Sequence, residues 1–201
     1  MKYVLSVFLS LTIVSCVTDR FVFDADPTIS KPSGIYTTQV DAVAGYTYGD
    51  SREPLMAVED LIREVSGDPA KINALADDMA HALTQSGTTR DAKDFICRQL
   101  WIIGQAEHVP HIASLLKRSD TADMARYALV NIPGTDVDAV LIQTLNDAPD
   151  SVRIGILNTL GERGANGALS DISGARRAIR AYRNAGNEDL AAAARDALAR
   201  I

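Results

Sequence analysis

The fold is decided by the stretch 92–116, AKDFICRQLWIIGQAEHVPHIASLL, which carries two apolar patterns separated by a turn. In the first, apolar residues recur at three- and four-residue intervals up to Ile103, and Gly104 closes the run. Such spacing puts these side chains on one face of an α-helix. Pro110 then opens a second run, at the first helical turn, where a missing N–H costs little. The stretch therefore predicts two consecutive helices, each with one apolar face.

The same pattern of short apolar runs extends in both directions, from about residue 36 to residue 201. Short apolar runs alternate with capping residues and glycines, and Asp68-Pro69 is a clear helix start, with Asp as the cap and Pro at the first position. The glycine-rich segment 161–167 is expected to be a loop between helices, and a further break is expected at 170–174. No run alternates with period two as a strand does. Residues 36–201 are therefore predicted to form an all-α body.

Helix-length units repeat along this body. Gly104, Gly134 and Gly161 close comparable runs at intervals of 30 and 27 residues. Aligned on these glycines, Arg126 and Arg153 fall in register. A single helix pair cannot bury its apolar face alone, so repeated pairs are expected to stack on one another and share one core.

These repeats resemble a known family. The stretches that carry the resemblance to bacterial HEAT repeats are 92–104, 109–116, 124–129 and 151–154, and the similarity extends over about 52–201. It implies a right-handed α-solenoid of four to five HEAT-like helix pairs. In such arrays the second helix of each pair usually lines the concave face, and the usual task is to hold another macromolecule.

The N-terminus predicts export and a lipid anchor. A basic start precedes the apolar run 4–14, whose 11 residues are about half of what a membrane-spanning helix needs. Such a run is typical of a signal peptide. Ile13-Val14-Ser15-Cys16 resembles the lipobox of bacterial lipoproteins, which implies that residues 1–15 are removed and Cys16 is lipidated. The alternative is an ordinary secretory signal in which Cys16 is unmodified.

This organisation gives three parts and a location. Residues 1–15 are the expected signal peptide, residues 16–35 an extended tether rich in Asp, Pro, Ser and Gly, and residues 36–201 the helical body. The predicted location is the cell envelope, on the periplasmic or outer face of a membrane.

Charge and cysteine content narrow the classes of function. The chain has a formal net charge of −6 and a pI near 5.0, which argues against a nucleic-acid binder. Apart from Cys16, the only cysteine is Cys97, so no disulfide is expected within the mature chain. Cys97 lies among apolar residues and is expected to be a buried, inert thiol.

Few residues suggest catalysis. His108 and His111 are three apart, as metal ligands on one helix face would be, but no third ligand is evident, and we expect them to be exposed at a helix start. Asp77 and Asp78 point about 100° apart on a helix and are expected on a solvated face. Trp101 is expected in the core. We therefore expect no metal, no cofactor and no enzyme activity.

The leading hypothesis is a membrane-anchored scaffold that binds a protein partner. A structural accessory subunit of an envelope complex, and a metal-dependent or lyase-type HEAT-repeat enzyme, are the alternatives. The predicted partner-binding residues, which lie off the apolar faces of the second helices, are Lys71, Asp78, His111, Ser114, Asp138 and Gln143.

Overall fold

The computed structural model describes residues 30–201, so the expected signal peptide and Cys16 lie outside the described residues. The α-helices are α1 Thr37–Ala44, α2 Glu53–Val65, α3 Pro69–Leu83, α4 Arg90–Ile103, α5 Val109–Ala113, α6 Ala122–Leu129, α7 Thr135–Asp147, α8 Asp150–Ala165, α9 Ile172–Arg180 and α10 Glu188–Arg200. Short 3₁₀ turns, Ala106–His108 and Ser114–Lys117, flank α5. No strand occurs within 30–201, which confirms the all-α class for this part of the chain.

The helices lie in two rows. In one row α4, α6, α8 and α10 contact each other in succession, and in the other α1, α3, α5, α7 and α9 do so. Across the rows, α3 contacts α4, α5 contacts α6, α7 contacts α8 and α9 contacts α10. The buried core lies between the rows and runs from Val40 to Ala197. None of the helices in the described part of the chain is both long enough and apolar enough to cross a membrane.

Helix starts follow the chemistry of the capping residues. The side chain of Asp68 accepts hydrogen bonds from the backbone N–H groups of Ala70 and Lys71, at 3.1 and 3.2 Å, and caps α3 as predicted. Thr89 caps α4 in the same way, through a 3.1 Å bond from the N–H of Ala92.

An Asp–Arg ion pair recurs from one repeat unit to the next. Asp123 in the first turn of α6 forms an ion pair of 2.7 Å with Arg126, and Asp150 in the first turn of α8 forms one of 3.1 Å with Arg153. The two arginines are those that the sequence places in register.

The expected loop at 161–167 is wrong in its first half, because α8 continues to Ala165. A Cβ atom on Gly161 would lie 2.9 Å from the Cα atom of Ala197, and one on Gly164 would lie 1.7 Å from a methyl carbon of Ile201. These glycines let α10 approach α8 closely; they do not end the helix. The expected break at 170–174 also differs, since α9 begins at Ile172.

A buried ion pair joins three helices. The guanidinium of Arg163 on α8 and the carboxylate of Asp138 on α7 are 2.9 Å apart, and both side chains are fully buried. Arg163 also donates to the carbonyl oxygens of Leu129 and Ile132, at and beyond the end of α6, at 2.9 and 2.6 Å. Asp138 accepts from the backbone N–H groups of Ser170 and Asp171, at 2.6 and 2.9 Å. The pair thus fixes both the end of α6 and the start of α9.

Asp138→Asn keeps the shape of the side chain and removes its charge, which leaves Arg163 buried without a counter-ion. Because an uncompensated buried charge is strongly destabilising, we expect the free energy of unfolding to fall by about 3–5 kcal/mol. Chemical denaturation followed by circular dichroism measures this change. The matched control is Asp136→Asn, at an exposed position of the same helix, which should change stability by less than about 0.5 kcal/mol. Equal effects of the two substitutions would contradict the assigned role.

Candidate functional site

A pocket of about 360 Å³ lies between the end of α3 and the segment that contains α5. Its lining residues are His81, Thr84, Pro110, His111, Ala113, Ser114 and Lys117. The rings of His81 and His111 meet edge to face, with centroids 6.2 Å apart and planes at 80°. We call this feature the histidine pocket.

Both imidazoles of the histidine pocket already have hydrogen-bond partners. His111 donates through Nε2 to the carbonyl oxygen of Ser30 at 3.0 Å, and the side-chain amide of Gln85 lies 3.0 Å from Nε2 of His81. Within residues 30–201 there is no group of three or more His, Cys, Asp or Glu side chains that could hold a metal ion. The two histidines of the pocket are therefore held in place by hydrogen bonds to neighbouring residues.

The chain enters the body beside this pocket. Residues 30–36, which we call the strap, include the last six residues of the predicted tether, and they lie against α3. Ser33 Oγ and the backbone N–H groups of Gly34 and Tyr36 all donate to the carboxylate of Asp78, at 2.9, 3.0 and 2.8 Å. Gly34 has a φ of 76°, which an L side chain rarely adopts, and so its lack of a Cβ atom permits this turn.

His108 and His111 do not act as a pair, and the exposure expected for them at a helix start is wrong, because both are buried. His108 is fully buried and its Nε2 lies 3.1 Å from the carboxylate of Asp77, while its Nδ1 accepts from the backbone N–H of Gln105 at 2.9 Å. An Nδ1 that accepts a hydrogen bond carries no proton, so the ring is neutral with its proton on Nε2. Burial lowers the pKa of His108 below its usual value and outweighs the opposite effect of Asp77.

Half of the predicted partner-binding residues are buried, and their expected exposure was wrong. Asp78, His111 and Asp138 have exposed fractions of 3%, 8% and 0%. Asp78 holds the strap, His111 bonds to Ser30 and Asp138 pairs with Arg163; each replaces lost hydration with a specific partner. The other three, Lys71, Ser114 and Gln143, are exposed, and their role stays a prediction.

The structure also tests three further expectations about which side chains are exposed. The solvated face expected for Asp77 and Asp78 is wrong, since they bind His108 and the strap. Trp101 is 36% exposed and so does not lie in the core. Cys97 is fully buried as expected, and burial raises the pKa of its thiol.

Large apolar side chains are exposed together on α4 and α6. Trp101, Ile102 and Tyr127 have exposed fractions of 36%, 59% and 47%. The rings of Trp101 and Tyr127 lie 5.8 Å apart at 32°, and the guanidinium of Arg98 lies 5.8 Å from the centre of the Tyr127 ring. On α4, positions 98, 101 and 102 share one face because they are three and four residues apart. We call Arg98, Trp101, Ile102 and Tyr127 the aromatic patch.

The neutral state of His108 predicts a dependence of stability on pH. An unfolded chain protonates this imidazole as pH falls through about 6.5. The folded chain takes up the proton only at lower pH, because burial lowers the pKa of His108. The free energy of unfolding should therefore keep its highest value above pH 7 and decrease as the pH falls below about 6.5.

The control for this prediction is His108→Asn, whose Oδ1 can accept the bond from Gln105 in place of Nδ1. Thermal unfolding midpoints at pH 7.5 and 5.5 measure the change for each protein. Asp77, Glu107 and His111, which act on the charge of His108, remain in both. The wild-type chain should therefore lose more stability than the variant, and an equal loss in both would contradict the prediction.

Comparisons with known proteins give no family for this chain: no protein-family model, curated protein or solved structure matches it.

Proposed function

We propose that this chain is a lipid-anchored, HEAT-like α-solenoid that holds a protein partner at the cell envelope through its aromatic patch. The observation that carries the proposal is the exposure of Trp101, Ile102 and Tyr127 on one surface. Trp, Tyr and Arg are the residues most enriched among those that dominate binding energy at protein interfaces. This patch holds one of each, together with an exposed Ile.

The aromatic patch is held in place before any partner arrives. Arg98 is bound on one side by Asp94 at 2.9 Å and lies against Tyr127 on the other. The backbone carbonyl of Trp101 accepts a bond of 3.2 Å from the side chain of Asn131, which ties the end of α4 to the segment after α6. Side chains that are already ordered lose less conformational entropy on binding, which favours affinity.

Two features support the solenoid. Each helix from α3 to α8 contacts the helix two places further along the chain, and α3, α5 and α7 also contact the next helix, as expected when repeated pairs stack. An ion pair between an Asp of the first turn and the Arg three residues later recurs in α6 and α8, one unit apart. In this arrangement the aromatic patch belongs to the row of α4 and α6, opposite the row that carries Lys71, Ser114 and Gln143.

The anchor rests on the sequence of residues 1–16, with its apolar run and its lipobox-like end at Cys16. One acyl chain binds membranes only marginally, whereas two or three on one cysteine hold a protein stably. A tether between Cys16 and the strap would place the body, and with it the aromatic patch, close to the membrane.

The anchor is tested by Cys16→Ser, which removes the sulfur that the lipid would occupy. The wild-type chain should partition into the detergent phase of cell extracts, and the variant should accumulate unprocessed or as soluble chain. Cys97→Ser is the matched control, since it removes the other thiol and should leave partitioning unchanged. Retention of the Cys16 variant in the membrane in the processed form, at the wild-type level, would refute the anchor.

The aromatic patch is tested by a photo-reactive amino acid placed at Ile102 in living cells, with Met56 as the control position because its exposed fraction, 53%, is similar. We expect a discrete cross-linked product from position 102 and none from position 56. Adding Trp101→Ala and Tyr127→Ala should reduce that product roughly 30-fold, as the loss of dominant interface residues does. Thermal stability should change little, since both side chains are partly exposed.

A third position, Gln143, tests the opposite row in the same experiment. If a product from position 143 persists after the aromatic substitutions, the partner binds the opposite row, which is the surface that the sequence predicts. Equal products from positions 56 and 102 would mean that the aromatic patch has no specific partner.

A further inference from the structure

Positive charge is concentrated near the C-terminal end of this acidic chain. Residues 172–187 contain four arginines and no Asp or Glu, whereas the whole chain has a net charge of −6. The four are Arg176, Arg177, Arg180 and Arg183, which we call the arginine patch. Such an asymmetry creates a local positive field whatever the net charge of the protein.

The arginine patch faces outward because α9 buries its other side. Ala175 and Ile179 are fully buried against the neighbouring helices, while all four arginines are exposed. Arg176 donates to the main-chain oxygen of Ile201. None of the four lies within 4 Å of an Asp or Glu carboxylate among residues 30–201.

Several other exposed arginines of residues 30–201 differ in this respect. Arg63, Arg90 and Arg118 each lie within 4 Å of an aspartate carboxylate, at the ends of α2, α4 and the segment after α5. Among residues 30–201, Arg177, Arg180 and Arg183 have no such counter-charge and repel one another, so an external anion would stabilise them.

The N-terminal end of α9 adds an apolar group to the patch. Ile172 is 48% exposed and lies four residues, about one helical turn, before Arg176. Basic side chains with an exposed aliphatic residue match the surface of a bilayer, which offers phosphates outside and hydrocarbon beneath. Guanidinium groups also bind phosphate oxygens in pairs, through two parallel hydrogen bonds.

The chain is long enough to bring this patch to a membrane that holds Cys16. The strap begins at Ser30 against α5, and α9 is separated from α5 by α7 alone, so Ser30 and α9 lie roughly 20 Å apart at usual helix spacing. Residues 17–29 number 13 and can span at most about 45 Å.

We propose that the arginine patch binds anionic phospholipid headgroups and so fixes the orientation of the body on the bilayer. This inference rests on the lipid anchor of the proposed function and adds a second, electrostatic contact. Each basic residue near an anionic membrane strengthens binding about fivefold, so three together strengthen it on the order of 100-fold. The lipid then sets where the protein is, and the arginine patch sets which side faces the membrane.

The test measures how close α9 lies to the bilayer. Ser173→Cys is labelled with a donor dye in the full chain purified in detergent; Cys97 is buried and does not compete for the label. The chain is reconstituted into vesicles that carry an acceptor lipid, either in phosphatidylcholine alone or with phosphatidylglycerol added. Energy transfer should be high only in the anionic vesicles, and 1 M NaCl should abolish the difference, because the screening length then falls to about 3 Å.

The decisive variant is Arg177→Gln, Arg180→Gln and Arg183→Gln together, which should lower energy transfer in anionic vesicles to the value in phosphatidylcholine. The matched control is Arg63→Gln, Arg90→Gln and Arg118→Gln, which removes the same charge elsewhere and should leave energy transfer high.

Two results would overturn the inference. One is the same energy transfer in both vesicle types by a chain that remains membrane-bound, which would leave the anchor intact. The other is binding of polyglutamate by the wild-type chain but not by the patch variant, without an effect of anionic lipid, which would assign the arginine patch to an acidic protein.

A chain that stays in solution after detergent removal would refute the anchor instead. Sedimentation of that soluble chain with anionic vesicles alone would still support the arginine patch, and a failure to sediment would overturn it.

Discussion

The ion pair between Arg163 and Asp138 is the constraint on which the second half of the molecule depends. Both groups are fully buried, so each needs its partner and every available carbonyl or N–H group to offset lost hydration. Their hydrogen bonds reach the end of α6, the start of α7, the interior of α8 and the segment before α9. None of these segments can shift alone without leaving a charge exposed to an apolar surrounding. A single pair thus sets the spacing of four consecutive helices.

The sequence predicts the features that depend on local chemistry. Apolar spacing and capping by Asp68 and Thr89 define helices that the structure confirms, and Cys97 is buried as its apolar neighbours indicate. The failures arise where a residue type has two uses. Glycine ends helices but also permits close helix contact, as at Gly161, and the two uses look identical along one chain. A polar residue off an apolar face is normally solvated, yet Asp138 meets a buried cation 25 residues away.

The surfaces of the molecule were harder to predict than its core. Trp101 is adjacent to an apolar helical face, so periodicity places it inside, but it lies at the edge of that face, where its ring packs against the ring of Tyr127. The arginine patch carries no apolar signal and was not predicted from the sequence; the burial of Ala175 and Ile179 shows which way it faces. Aromatic patch and arginine patch lie on different helices, so one surface can meet a partner while the other meets a different environment.

The strap has a mechanical consequence. Any pull on the chain ahead of Ser30 reaches the body through the bonds that Asp78 and His111 make with residues 30–36, before it reaches a helix. These bonds lie outside the apolar core, so they can break under load and re-form when the load is removed, while α3 and α5 keep their places. Under such a pull the bonds of the strap would break first. The connection would lengthen by a few residues, and the helices would stay folded.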